Sequence, residues 1–179
     1  MTLTQPQVGY AGLHGHAISS ANDLISICLT IDMLVSSSTA TYPTADLAIY
    51  VPVRVKTRVV VRKMLAAIAT ASGNVDIGIY NAGGTRLVST STTAAAAPLV
   101  VDVTDTTLGP GLHYLAVVAD NTTITFDRDN PTAPTLAASG VLTEQLGAGA
   151  ALPATATWAV NQTLAYLPMV AALLVTEVS

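Results

Sequence analysis

The chain has 179 residues, 51% of them hydrophobic and only 10% charged, with a formal net charge of −4. An ordinary soluble domain carries roughly 25% charged residues, so much of this surface is expected to lie against other subunits. The acidic balance argues against a general nucleic-acid binder. The single Cys28 excludes an intrachain disulfide and a cysteine-based zinc site, and reads as a small buried apolar side chain.

Mean hydropathy is positive, yet no apolar run suits a bilayer. The run from Leu164 to Val175 is short and contains Pro168, and Ile18 to Val35 is broken by Asn22, Asp23, Ser26 and Asp32. No basic segment precedes an apolar one at the N-terminus, so no secretory signal is expected.

Residues 1–45 are expected to be an N-terminal arm and linker, with Pro6, Gly9, Gly12 and Gly15 spaced along an extended segment. His14 and His16 flank Gly15 and would project to one side. With His113 far away in sequence and no carboxylate beside the pair, polar contacts are expected there rather than a metal. In Leu24–Val35, Ile25, Ile27, Leu29, Ile31 and Met33 alternate, which favours a strand over a short helix. Ser36–Thr44 reads as linker.

Residues 46–179 are expected to form an antiparallel β-sandwich, jelly-roll-like, in which short strands follow turn signals closely. The expected strands are Leu47–Val55, Thr57–Thr70, Val75–Tyr80, Thr85–Ser89, Leu99–Val103, Gly111–Ala119 and Thr122–Phe126. Pro52 removes a ladder donor and suggests an edge strand or bulge. In Val75–Tyr80, Val75, Ile77 and Ile79 face one way while Asp76, Gly78 and Tyr80 face the other. Asn-Ala-Gly-Gly then closes a hairpin, with positive φ expected at Gly83 and Gly84. Residues 128–157, rich in Ala, Pro, Gly and Thr, read as a long excursion used for contacts, with a short helix near Val141–Leu146. Trp158–Val178 is expected to return as a final strand.

Five of the seven basic residues fall between Arg54 and Lys63. In one extended strand Arg54, Lys56, Arg58 and Arg62 would share a face opposite Val53, Val55, Val59 and Val61. Such a face could dock onto an acidic subunit or simply guard a sheet edge. No aromatic residue is interleaved for base stacking. Asp127, Asp129 and Asn130 could hint at calcium, but a closing Glu is missing and Arg128 sits among them, so a solvated turn is favoured. The same holds for Asp102 and Asp105. No Gly-x-Ser-x-Gly elbow, no spaced glutamate pair and no phosphate-binding glycine motif is present, so neither enzymatic activity nor a cofactor is expected. For a sugar site the expected aromatics are Tyr80, beside the hairpin, and Trp158, for which core or interface packing is favoured.

The runs Tyr50-Val-Pro-Val-Arg-Val, Ser72-Gly-Asn-Val-Asp-Ile-Gly-Ile-Tyr-Asn-Ala-Gly-Gly-Thr-Arg-Leu-Val-Ser and Leu108-Gly-Pro-Gly-Leu-His-Tyr-Leu-Ala resemble β-sandwich structural proteins of tailed bacteriophages. The resemblance spans residues 46–127 and carries no catalytic residue with it. It implies a virion component made in the host cytoplasm: a capsid decoration or cement protein, or alternatively a tail or fibre module recognising a host surface glycan. The implied partners are the major capsid protein or other virion subunits and further copies of the chain, as a trimer or dimer. Neither nucleic acid nor membrane is expected as a partner.

Overall fold

The computed structural model describes residues 15–18, 24–27 and 38–175. Two antiparallel sheets pack face to face, as the alternation predicts. The eight-stranded sheet holds Gly15–Ile18 (β1), Leu24–Ile27 (β2), Ser38–Thr41 (β3), Val59–Thr70 (β5), Ala97–Leu108 (β8), Thr125–Asp129 (β10), Leu167–Pro168 (β13) and Val170–Val175 (β14). The six-stranded sheet holds Leu47–Val55 (β4), Asn74–Asn81 (β6), Arg86–Thr93 (β7), Gly111–Ala119 (β9), Leu142–Gln145 (β11) and Ala159–Val160 (β12), in the order β12-β11-β4-β9-β6-β7.

Period-two patterning decides which side chains meet between the sheets. Ile49, Val51, Val53 and Val55 of β4, Val75, Ile77 and Ile79 of β6, and Leu115, Val117 and Ala119 of β9 face Val61, Met64, Ala66 and Ile68 of β5. Each buried Val, Leu, Ile or Met side chain of this set contributes roughly 1.5–3 kcal/mol, so this layer is the main source of stability. Tyr42 lies at one end of it. Its hydroxyl donates toward Leu47 O at 2.5 Å and Val117 O at 3.0 Å, and its ring sits 5.4 Å from that of Phe126.

Several expectations are corrected. Residues 38–41, expected as linker, form β3, because their backbone pairs with β10 from Thr125–Thr41 to Arg128–Ser38. The helix lies at Ala133–Ala138 (α1) rather than near Val141–Leu146, with Pro at its start; Leu142–Gln145 instead completes a ladder on β4. The strand expected at Thr122–Phe126 begins at Thr125, since Asn121 caps the preceding turn through Thr123 N–H and Ile124 N–H. β4 is an interior strand, yet Pro52 is tolerated. Its partner on β9 is Tyr114, and β11 stops pairing β4 at Tyr50, so the missing donor faces a flank with no ladder to break. The hairpin needs one positive φ, not two: Gly84 sits at φ 83. The final strand is divided into β12, β13 and β14, and at Met169 the chain passes from β10 to β5, with Met169 N–H on Asp127 O and Met169 O accepting from Ala67 N–H. His14 and Cys28 lie outside the described residues.

Candidate functional site

The four expected cations do not share one strand face. β4 ends at Val55 in one sheet and β5 begins at Val59 in the other, so Lys56 and Arg58 lie in the crossing between sheets. Arg62 is then an extra residue: the registers of β5 with β8 and with β14 both break around it. That break turns it outward, where it forms a two-pronged pair with Asp105, 2.8 and 3.0 Å away. Lys63 pairs with Asp102 at 3.0 Å. Asp102 and Asp105 are therefore ion-paired strand residues rather than a solvated turn. The Arg62 guanidinium holds the Asp105 carboxyl below its usual range. Both pairs are solvent-exposed, so water and salt screen them and neither is a main source of stability. Arg54, Lys56 and Arg58 remain as a group of exposed cations at one end of the sandwich.

The aromatic residues prove to be a second packed layer. Tyr50, Tyr80 and Tyr114 stand on the outer face of the six-stranded sheet with Ala48, Ala116 and Val118. Trp158 caps them, its ring 4.5 Å from Tyr114, 5.1 Å from Tyr50 and 6.1 Å from Tyr80. Tyr80 is fully buried, so the exposed sugar-stacking role is excluded for it, whereas the packing role favoured for Trp158 matches its position.

A strap formed by residues 144–158 covers this layer and is pinned residue by residue. Asp46, at φ 59, accepts from Gly149 N–H at 3.1 Å and Ala150 N–H at 2.9 Å. The Tyr80 hydroxyl donates to Pro153 O at 2.6 Å, and Arg86 donates to Leu152 O. Ala156 N–H bonds Gly84 O at 2.8 Å, and Glu144 accepts from Tyr50 and Thr157. The excursion expected to reach neighbouring subunits is thus engaged largely with its own sheet. Burial raises the Tyr50 and Tyr80 phenols well above their ordinary value, so both stay neutral donors here.

Under the strap, Asp76 accepts from Leu152 N–H at 2.9 Å. Burial raises its carboxyl above the usual range; the Leu152 N–H, Arg86 and Ser89 pull the other way without cancelling this. A raised folded-state pKa means the contribution is fully present below the ordinary carboxylate value and is lost as pH rises through the folded value. Asp76→Asn is therefore expected to stabilise the fold at neutral pH relative to acid. Denaturant midpoints measured from about pH 3 to about pH 7 check this. An identical pH slope in both proteins would contradict it.

At the end opposite the basic crossing lies an open cleft of about 370 Å³ between the β3–β4 connection, the end of β10 and residues 161–166. Thr41, Thr44, Asn130, Asn161 and Thr163 line it, with Arg128 as its cation and no carboxylate in the lining. Arg128 lies 5.2 Å over the Tyr166 ring and donates to Asn130 Oδ1 at 2.7 Å and Ala165 O at 3.2 Å. Asn130's side-chain oxygen is thereby engaged, and Asp129 is buried, which removes the expected acidic turn. Among the described residues no group of three or more His, Cys, Asp or Glu side chains is placed to hold a metal. His113 is buried with Nε2 2.9 Å from Gly109 O. No helix among the described residues is long and apolar enough to cross a membrane.

Sequence signals for the cleft were weak, because threonines and asparagines spread over residues 41–163 carry no motif. The strap had one usable signal: β4 is apolar on both faces, which requires a cover on each. Comparison of the chain with protein-family models, with curated proteins and with solved structures found no match.

Proposed function

We propose that the chain is a non-enzymatic virion structural protein of the capsid decoration or cement type, binding the major capsid protein or other virion subunits. The observation that carries this reading is the outward face of the eight-stranded sheet. Met64, Ala66 and Ile68 point into the core, so Leu65 and Ala67 point away from it. Leu65 lies opposite Val100 and Ala67 opposite Pro98, with Val100 45% exposed. Charge on the outward side of β5 and β8 is held in two ion pairs, Lys63–Asp102 and Arg62–Asp105. A flat apolar face of this kind gains roughly 25 cal/mol per Å² when a shell covers it. Arg54, Lys56 and Arg58 add a cationic end suited to an acidic neighbour.

The test is the copy number and position of the chain in purified particles, by electron microscopy with mass spectrometry. Hundreds of copies spread regularly over an icosahedral shell are expected, and Leu65→Glu is expected to weaken shell binding at least about tenfold, or 1.4 kcal/mol. A few copies at a vertex or tail would overturn the decoration role. They would favour the second reading, a tail or fibre module that recognises a host glycan. The amide and hydroxyl groups of the cleft beside Arg128 support that alternative.

A further inference from the structure

One flank of the sandwich carries two strand edges with different protection. Among the described residues β8 pairs only with β5, and β7 only with β6. An open edge offers unpaired N–H and C=O groups to any other strand unless charge, proline or a bulge blocks it. β8 has all three. Pro98 stands near its start, Asp102 and Asp105 follow, and between Asp102 and Thr106 it holds three residues against the single Arg62 of β5.

β7 has none of them over Val88–Thr93. That segment keeps an unbroken register with Asn74–Ile79 and contains only Val, Ser and Thr. Its outward groups follow from its ends. Ala94 N–H donates to Gly73 O on the β6 side, so by alternation Thr92 and Thr90 also donate toward β6. Ser89, Ser91 and Thr93 therefore turn their backbone groups to the open edge. At the other end the strap closes the edge, with Arg86 N–H on Ala154 O at 2.9 Å. The open stretch is bounded and neutral.

We propose that Val88–Thr93 pairs antiparallel with the same segment of a second copy, joining two six-stranded sheets into one twelve-stranded sheet. A two-fold axis through Ser91 sets Ser89 opposite Thr93 and satisfies both edges at once, because each supplies the donors and acceptors the other lacks. It places Ser and Thr against Ser and Thr, and no like charges meet. Arg86, the nearest cation, is held by Leu152 O. The same operation on β8 would bring Asp102 and Asp105 against their own copies. This pairing does not depend on the virion reading.

The experiment is the mass of the full chain by light scattering after size exclusion, from about 1 to about 100 µM. Twice the 18.3 kDa chain mass is expected. Ser91→Pro removes an N–H that faces the open edge, so the β6–β7 ladder survives while the dimer falls to monomer. Ser91→Lys sets like charges across the axis and is expected to weaken the dimer at least tenfold, which decides the matter if the proline variant does not fold. Thr104→Lys, on the guarded β8 edge, is expected to leave the dimer intact. A monomeric wild type at every concentration would overturn the proposal. So would folded Ser91 variants that keep the dimer mass, or dissociation by Thr104→Lys alone.

Discussion

Phe126→Ala is expected to lower the unfolding free energy by about 3–5 kcal/mol, the range for deleting a fully buried aromatic side chain. Phe126 is 0% exposed and sits where β10 leaves its pairing with β5 and joins β13. Its neighbours are poorly placed to collapse into the space. Tyr42 is tethered through its hydroxyl to the carbonyls of Leu47 and Val117, and Tyr166 stands edge-on to Tyr42 at 5.9 Å. A cavity should therefore persist. For a domain of typical stability, 5–15 kcal/mol, this is a large share of the total. Guanidinium unfolding should show a lower midpoint with an unchanged slope. A loss below about 1 kcal/mol would mean that this end of the sandwich repacks freely.

Gly78→Val is expected to cost about 3 kcal/mol and to lift the strap. A Cβ at Gly78 would lie 2.8 Å from Val88 O, 2.8 Å from Ser89 Cβ and 3.0 Å from Leu152 Cδ1. The first two belong to the paired strand and cannot swing aside without opening the β6–β7 ladder; Leu152 can move. Movement of Leu152 would pull on its bonds to Asp76 and Arg86, and on Tyr80's bond to the adjacent Pro153. Trp158 is the single tryptophan, so its fluorescence reports the strap directly. A red shift together with faster proteolysis within residues 146–156 is expected. Unchanged emission and a midpoint within about 0.5 kcal/mol of wild type would refute the argument.

How much of this was legible depends on how local the deciding force is. β4 and β9 run over Leu47–Val55 and Gly111–Ala119, the spans read from sequence, because an apolar run marks out β4 and the turns at Gly109-Pro110-Gly111 and Asp120-Asn121 bound β9. The alternation in β6 predicted which side chains enter the core, and Asp76, Gly78 and Tyr80 do lie on the other face. β3 was not legible: Ser-Thr-Ala-Thr has no amphipathic pattern and is a strand only because β10 offers it an edge. The basic face failed for a geometric reason. A period of two holds within one strand, but the chain changes sheets at Lys56–Arg58 and bulges at Arg62. The low charge content points to cover by other subunits, whereas part of it serves a second apolar layer that the chain covers itself. That cover joins residues about a hundred positions apart, such as Asp46 and Ala150, and no local window can show it.

The position of β14 bears on how the molecule is made. It lies between β2 and β5, paired on both sides, yet it follows every other described strand in the chain. The strap, too, follows the strands it covers, apart from β12. During synthesis the eight-stranded sheet must wait with a gap inside it, and the tyrosines of the other sheet wait bare, until these late segments emerge. Such long-range closure is slow and exposes unpaired strand edges meanwhile. The nascent chain is therefore at its most aggregation-prone just before these segments emerge, and a ribosome paused shortly before residue 144 would hold it in that open form.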